Sequence, residues 1–368
     1  MLNFNYHSLK LLQPLGEVKY KFNDDLSAFI FPVIFRNKHS LVYRSTSTTV
    51  DKIRWLESIH NYRRQLRGHL RYLGDNMITI DNEKMKLQSN LGLLFTVSDY
   101  NQLCTARDCR NVLPIDRTFT SQGPLFAVDS ESLYGIIRTS YAEGDDLSTI
   151  LREKLSLKDI AVVTLQMADT LDDLAAKDIV HRDIKPGNIM YDFKTKKATL
   201  IDFGLAYSPA EQESPFLSPD LQNLLNERED IEMGRILGTP AYLSPEHVRG
   251  NTSPQSDLFS FGLTLYDFIV GHNLSFKFDH QDTYALFWYL INYETPEKKK
   301  LMDEVNRAVD SSSFRRHFLP CLESILDPEP QKRERDSLRT CAERFLHGKE
   351  RSWTEIMGSW LNKFFSFN

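Results

Sequence analysis

Glycine and cysteine are scarce in this chain, and each shortage narrows what it can be. Its 368 residues hold 16 glycines. Nowhere do they cluster as G-x-G-x-x-G, the loop whose backbone amides cradle phosphates. Leu15-Gly16-Glu17-Val18 and Leu73-Gly74-Asp75 offer one glycine each, which suits a plain turn. The four cysteines, Cys104, Cys109, Cys321 and Cys341, lack metal-ligand spacing and read as reduced thiols. Long hydrophobic runs are missing too: Leu26 to Phe35 is too short to cross a bilayer and contains Pro32. Met1-Leu2-Asn3-Phe4-Asn5 lacks the basic-then-apolar pattern of a secretion signal, so a cytoplasmic setting is expected. Charge of one sign is absent as well. With 45 basic and 50 acidic side chains the net charge is −5, which argues against nucleic-acid binding driven by bulk charge. No internal repeat or low-complexity tract appears. At this length the chain can bury a large core and forms one two-lobed unit or two domains.

What is present is one dense run of chemistry. His181-Arg182-Asp183-Ile184-Lys185-Pro186-Gly187-Asn188 is followed by Asp202-Phe203-Gly204. Two carboxylates, an amide and an ammonium stand where phosphoryl transfer needs them. Asp183 is the candidate acceptor of a proton from a substrate hydroxyl. Asn188, five positions on, can ligand a metal whose other ligands include Asp202. Lys185 can neutralise charge on the transferring group. The 19 positions between Asp183 and Asp202 suffice for a short β-hairpin. Apolar Ile189-Met190-Tyr191 and Ala198-Thr199-Leu200-Ile201 flank a polar stretch from Asp192 to Lys197.

The run resembles the catalytic loop of protein kinases, H-R-D-x-x-x-x-N, with the metal-binding D-F-G in its expected order. The resemblance implies an α+β, bilobal, protein-kinase-like fold, with a small mainly β N-terminal lobe and a larger mainly α C-terminal lobe. It implies ATP and Mg²⁺ (or Mn²⁺) as cofactors, with Asn188 and Asp202 as metal ligands. Leu133 to Ile137 then resembles the strand before an interlobe hinge, and Gly144 suits a chain turning there. In that alignment Thr139 is the gatekeeper, backbone groups of Ser140 and Ala142 pair with adenine, and Asp146 reaches the ribose. Ile160 to Ala176 has near-helical apolar spacing and delivers the catalytic loop. Gly238-Thr239-Pro240-Ala241-Tyr242-Leu243-Ser244-Pro245-Glu246 is similar to the close of a Ser/Thr kinase activation segment. There Thr239 bonds near Asp183 and Lys185, and Glu246 pairs with Arg333. Ser256 to Gly262 resembles the start of the central helix, where Asp257 holds the catalytic-loop backbone. Arg182 is expected to dock an activation-loop phosphate or a carboxylate in its place. Ser208, Ser214 and Ser218 keep phosphorylation of that segment open.

The first 130 residues or so depart from the family pattern. No V-A-x-K is spelled out. Lys86, in Met85-Lys86-Leu87, is the first choice for the lysine that contacts the nucleotide phosphates, and Arg44 the second. Its acidic partner is unassigned, with Asp99 and Asp108 the acids between Ser98 and Arg110. Thr49 to Leu66 reads as a helix with Ile53, Leu56, Ile59, Tyr62 and Leu66 near one face. Its other side and the next turn carry Lys52, Arg54, Arg63, Arg64, Arg67 and Arg71. That is a solvated basic face or, over residues 52–71, a dock for an acidic or phosphorylated partner. The stretch 352–367 reads as an amphipathic helix with a capping box at Ser352 and Glu355, packing on the C-terminal lobe or touching a membrane surface or partner weakly.

These readings divide the chain into a divergent N-terminal lobe with an insertion (1–141), a kinase C-terminal lobe (142–348) and a terminal amphipathic helix (349–368). The expected activity is ATP-dependent phosphorylation of Ser/Thr hydroxyls on a protein substrate. The alternative is a kinase-fold pseudoenzyme or scaffold, or transfer to a non-protein acceptor. Divergence of the first lobe also suits a microbial effector acting in a host cytoplasm.

Overall fold

The computed structural model describes residues 10–12, 33–36, 40–44, 48–58, 70–73, 77–80, 91–116, 124–128, 132–150, 155–208, 214–217, 222, 225–226, 236–278 and 283–347. They fall into two compact units. The first comprises residues 1–143, 174–182 and 199–237, the second residues 144–173, 183–198 and 238–368.

The first unit is built on a six-stranded antiparallel sheet. Its strands are β1 (Lys10–Leu12), β2 (Val33–Arg36), β3 (Ser40–Arg44), β4 (Thr49–Ser58), β7 (Leu125–Val128) and β8 (Ser132–Ser140). They lie in the order β1-β7-β8-β4-β3-β2. A separate hairpin pairs β5 (Leu70–Leu73) with β6 (Met77–Ile80). Strand β4 is the axis of the sheet, flanked by β3 and β8 in registers that set Lys52 opposite Val42 and Ile137. A helix over residues 49–66 is therefore incorrect for 49–58. Ile53 and Leu56 satisfy a helical spacing, but Thr49, Val50 and Ile53 are β-branched, and pairing on both edges satisfies the backbone of a strand. The strand's period of two separates its charges between faces. Asp51 meets the cross-strand Arg138 in a two-point ion pair, 2.5 and 2.6 Å, on one face. Lys52 and Arg54 point to the other. The continuous basic docking helix over 52–71 is lost with this change, since Arg71 lies on β5. Arg63, Arg64 and Arg67 lie outside the described residues.

Helix α1 (Leu91–Thr105) lies against the Lys52 face of the sheet. A Cβ at Gly135, opposite Arg54, would stand 2.6 Å from Thr96 Cγ2, so the helix approaches the strand backbone closely. From Thr96 to Cys104 every residue is buried, including Ser98, Asp99, Asn101 and Gln102. Buried polar side chains of this kind must find partners. Ser98 Oγ donates to Ala206 O at 2.8 Å, and Ser214 Oγ donates to Asn101 Oδ1 at 2.5 Å.

The second unit is mainly helical. Short strand β9 (Asp145–Asp146) pairs with β10 (Ile189–Asp192), and β11 (Lys197–Leu200) follows the turn after β10, as the apolar-polar-apolar pattern anticipates. Gly144 opens the unit at φ +92°, where a Cβ would stand 2.2 Å from Tyr191 O. Only glycine fits there. Helix α2 (Leu147–Ile150) is brief, and α3 (Leu157–Ala176) spans the region whose apolar spacing is helical. Then come α4 (Pro245–Val248), α5 (Pro254–Val270), α6 (Thr283–Ile291), α7 (Thr295–Ala308), α8 (Ser312–Ile325) and α9 (Asp336–His347). Helix α5 is the core: its residues from Ser256 to Phe268 are all buried. A reciprocal Ser253–Ser256 capping box starts it and Gly271, in the left-handed region, ends it. Arg333, with no exposed side-chain surface, donates to both oxygens of Glu246 at 2.7 and 2.9 Å. It also lies 4.6 Å from the Phe259 ring centre, joining α4, α5 and the loop before α9.

The four cysteines are buried, and none is in a disulfide. Among the described residues no helix is long and apolar enough to cross a membrane. The segment 349–368 lies outside the described residues.

Candidate active site

Two clusters gather the candidate residues, one in each unit. In the second unit, the loop before β10 gathers Asp183, Lys185 and Asn188, and the chain from Gly238 adds Thr239. Lys185 Nζ donates to Asp183 Oδ2 and to Thr239 Oγ1, both at 2.7 Å. Thr239 Oγ1 donates to Asp183 Oδ1 at 2.7 Å. Asn188 Nδ2 donates to the Asp183 backbone oxygen at 2.8 Å and to its Oδ2 at 2.9 Å. Both oxygens of Asp183 are thus aimed by neighbours, and its orientation is over-determined. A carboxylate held this way suits a group that must meet a hydroxyl in one geometry. The Asn188 amide spends its nitrogen on Asp183, and no described residue donates to its Oδ1. The loop owes its shape to Pro186, which starts a single tight turn through Asn188.

Asp146 belongs to this unit. Its carboxylate accepts from Ser148 and Thr149 backbone N–H, both at 3.1 Å, and from the hydroxyls of Ser148 and Thr149. It caps helix α2.

In the first unit, Lys52 on β4 and Asp99 on α1 meet at 2.7 Å. Lys52 also donates to Asp202 Oδ1 at 2.5 Å. The other oxygen of Asp99 accepts from Phe203 N at 3.0 Å. One buried carboxylate therefore ties a strand lysine to the Asp202-Phe203-Gly204 turn. Asp202 takes φ +63°, and Gly204 N donates back to its Oδ1 at 3.3 Å. Burial alone would raise the pKa of Asp202. The Lys52 ammonium and the Arg54 guanidinium outweigh it, helped by hydrogen bonds from Lys52 and Gly204, and hold the acid far below the usual range. His181 packs edge-on to Phe203 at 4.8 Å and its Nε2 lies 3.2 Å from Ile201 O. Arg182 donates from Nε to Leu205 O at 2.6 Å and lies 5.3 Å from the Tyr207 ring centre.

Thr139 is buried near the end of β8. The Ser140 N–H is occupied by Pro114 O at 2.8 Å, and Tyr141 N donates to Thr48 O at 2.8 Å. Ala142 makes no backbone hydrogen bond among the described residues. Lys86, the sequence choice for the phosphate-contacting lysine, lies outside the described residues, as do Gly16 and Gly74. Sequence reasoning misses Lys52 because it puts that residue on a solvated helix face. The available signal is Val50-Asp51-Lys52-Ile53, a lysine close to β-branched residues that favour a strand. Asp99 is one of two acids in view, and its burial decides between them: Asp108 is exposed.

No metal cage of three or more His, Cys, Asp or Glu side chains occurs among the described residues. Mg²⁺ commonly takes one or two protein oxygens, with phosphate oxygens and water completing its shell. Asp202 Oδ2, without a hydrogen bond from a described residue, and Asn188 Oδ1 are oxygens of the required kind.

The protein kinase domain family matches residues 105–343. The chain belongs to the protein kinase family, and its α+β fold is the fold of that family. Among its relatives are the serine/threonine-protein kinases PknA of Nostoc sp. and PknL of Mycobacterium tuberculosis. PknA is 30% identical over 42% of this chain and 26% of its own length. PknL is 32% identical over 44% of this chain and 37% of its own length. Serine/threonine-protein kinase PknD of Chlamydia pneumoniae is 28% identical over 45% of this chain and 18% of its own length. The chain thus spans well under half the length of the relatives it matches. The family match begins at residue 105, so Lys52 and Asp99 both precede it.

Proposed function

We propose that this protein transfers the γ-phosphoryl group of ATP to Ser or Thr hydroxyls of protein substrates. The observation that carries this reading is the closed set Asp183, Lys185 and Thr239, each 2.7 Å from the next. Asp183 orients the acceptor hydroxyl and takes its proton, a role worth about 10²–10⁴ in rate. Lys185 stands beside that carboxylate to offset negative charge on the transferring group. Thr239 fixes both and gives the site its Ser/Thr character. Lys52, buttressed by Asp99, is our assignment for the cation that meets the α- and β-phosphates, in place of Lys86. Ser140 and Ala142 supply backbone groups for adenine, while the Asp146 carboxylate serves mainly as a cap. Asn188 and Asp202 are the side chains that would hold the divalent ions, whose chemistry is to screen phosphate charge. The relatives' names support a Ser/Thr protein acceptor.

The test is transfer of radiolabelled γ-phosphate to a generic basic protein in Mg²⁺ and in Mn²⁺, with D183N and D202N as controls. Transfer that both substitutions reduce at least 100-fold is the expected result. Absence of transfer in either metal, or transfer indifferent to both substitutions, would overturn the proposal.

A further inference from the structure

Arg54 is a charged side chain that the reaction as described does not use. It follows Lys52 by two positions on β4 and therefore shares its inward face. On the helix opposite, Phe95 and Asp99 are one turn apart. The two pairs align: Lys52 bonds Asp99, and the Arg54 guanidinium lies 5.9 Å from the Phe95 ring centre. On its far side the guanidinium rests against Gly204. A Cβ there would stand 2.8 Å from Arg54 Nη2, 3.3 Å from Nη1 and 3.3 Å from Asp202 Oδ1. Arg54 and Asp202 thus line the same pocket of space above Gly204, no more than about 6 Å apart. Nη1 is buried with no hydrogen-bond partner among the described residues. A guanidinium kept at such a point with its Nη1 unsatisfied is placed for its charge and its flat shape.

We propose that Arg54 is a positioning residue for the divalent ion: it clamps the Asp202-Phe203-Gly204 turn and, as a second cation beside Asp202, keeps free metal off that carboxylate until nucleotide phosphates bring it. This deepens the phosphoryl-transfer reading and rests on it for the role of Asp202. The charge count gives the reason. Lys52 and Arg54 balance Asp99 and Asp202, so the cluster is neutral. A bare divalent ion arriving at Asp202 meets two unit charges of its own sign. An ion carried by a polyphosphate arrives with compensating negative charge. Coulomb's law at about 6 Å in a water-like dielectric, with and without salt screening, makes the Arg54 contribution worth about three- to tenfold in metal affinity.

The experiment measures Mn²⁺ binding to the full chain by electron paramagnetic resonance, with and without ADP. Arg54→Met should bind free Mn²⁺ three- to tenfold tighter than the wild type, with the gap closing when ADP is present. Arg54→Lys, which keeps the charge, should stay within about twofold of wild type. Adding D202N to both the wild type and Arg54→Met should abolish the difference between them, by removing the carboxylate on which the charge acts. Unchanged or weaker Mn²⁺ binding by Arg54→Met, an equal shift in Arg54→Lys, or no Mn²⁺ binding by any chain overturns the proposal. If Arg54→Met gives no cooperative melt, Arg54→Gln carries the same comparison. A wild type with this metal pattern but without γ-phosphoryl transfer would refute the function and leave the Arg54 role standing. Intact transfer with an unmoved metal affinity would do the reverse.

Discussion

Substituting Asp99 tests the part of the site that lies outside the family match. Its side chain is 2% exposed, and its two oxygens hold Lys52 at 2.7 Å and the Phe203 N–H at 3.0 Å. Asp99→Ala removes both acceptors. An orphaned backbone N–H costs about 1–3 kcal/mol. Stranding a buried cation costs about 3–5 kcal/mol, but Lys52 keeps Asp202 as a partner, so part of that is recovered. The expected loss is about 3–4 kcal/mol in urea denaturation. Asp99→Asn keeps an acceptor for Phe203 and should lose only about 1–2 kcal/mol. Lys52→Met leaves a buried carboxylate with one backbone donor, at a cost of about 3 kcal/mol. In the double variant neither charge is stranded, and the cycle should return a coupling of about 1.5–3 kcal/mol. Additivity within about 0.5 kcal/mol would refute the argument that the two side chains stabilise one another. The same Lys52→Met chain separates the two candidate lysines: phosphoryl transfer at fixed ATP should collapse in it and persist in Lys86→Met.

Two further outcomes follow from packing and charge. Glu246→Ala should cost about 3–5 kcal/mol, because Arg333 has no exposed surface on which to recover water. Burial would raise the Glu246 pKa, but the Arg333 guanidinium overcomes it and leaves the acid below its ordinary 4.5. A depressed native pKa means the stabilisation is complete above that ordinary value and is lost as pH falls through the native one. The gap in melting temperature between wild type and Glu246→Ala should therefore hold above about pH 4.5 and narrow as pH falls below it, which a pH series of thermal melts checks. Gly262→Ala inside α5 should destabilise, against the usual helix preference of about 1 kcal/mol for alanine. The new methyl would lie 2.8 Å from Leu326 Cδ2 and 3.1 Å from Ile325 Cγ1, and such crowding costs about 1–3 kcal/mol. Leu326→Val in the same chain should restore part of the loss.

The stretch from His181 to Glu246 is readable because its roles are local in the chain. Asp183, Lys185 and Asn188 sit within six residues, where one tight turn after Pro186 sets their geometry. The hairpin from Ile189 to Leu200 follows from alternation and a polar turn. Glu246 and Arg333 can be paired across 87 positions only through the family resemblance, since no local pattern joins them.

Lys52 marks the point at which sequence reading stops. Its apolar neighbours satisfy a helical period while β-branched Thr49, Val50 and Ile53 favour a strand, and a single strand cannot show its partners. What decides is pairing with β3 on one edge and β8 on the other, which turns a basic helix face into one inward lysine and one inward arginine. Asp99 becomes its partner because α1 crosses that face, 47 positions along the chain. The chain itself determines the family and the catalytic loop, since both rest on residues adjacent in sequence. Only the folded structure decides which cation meets which carboxylate, because an ion pair depends on distance in space and on exclusion of water, and neither is written in the order of residues.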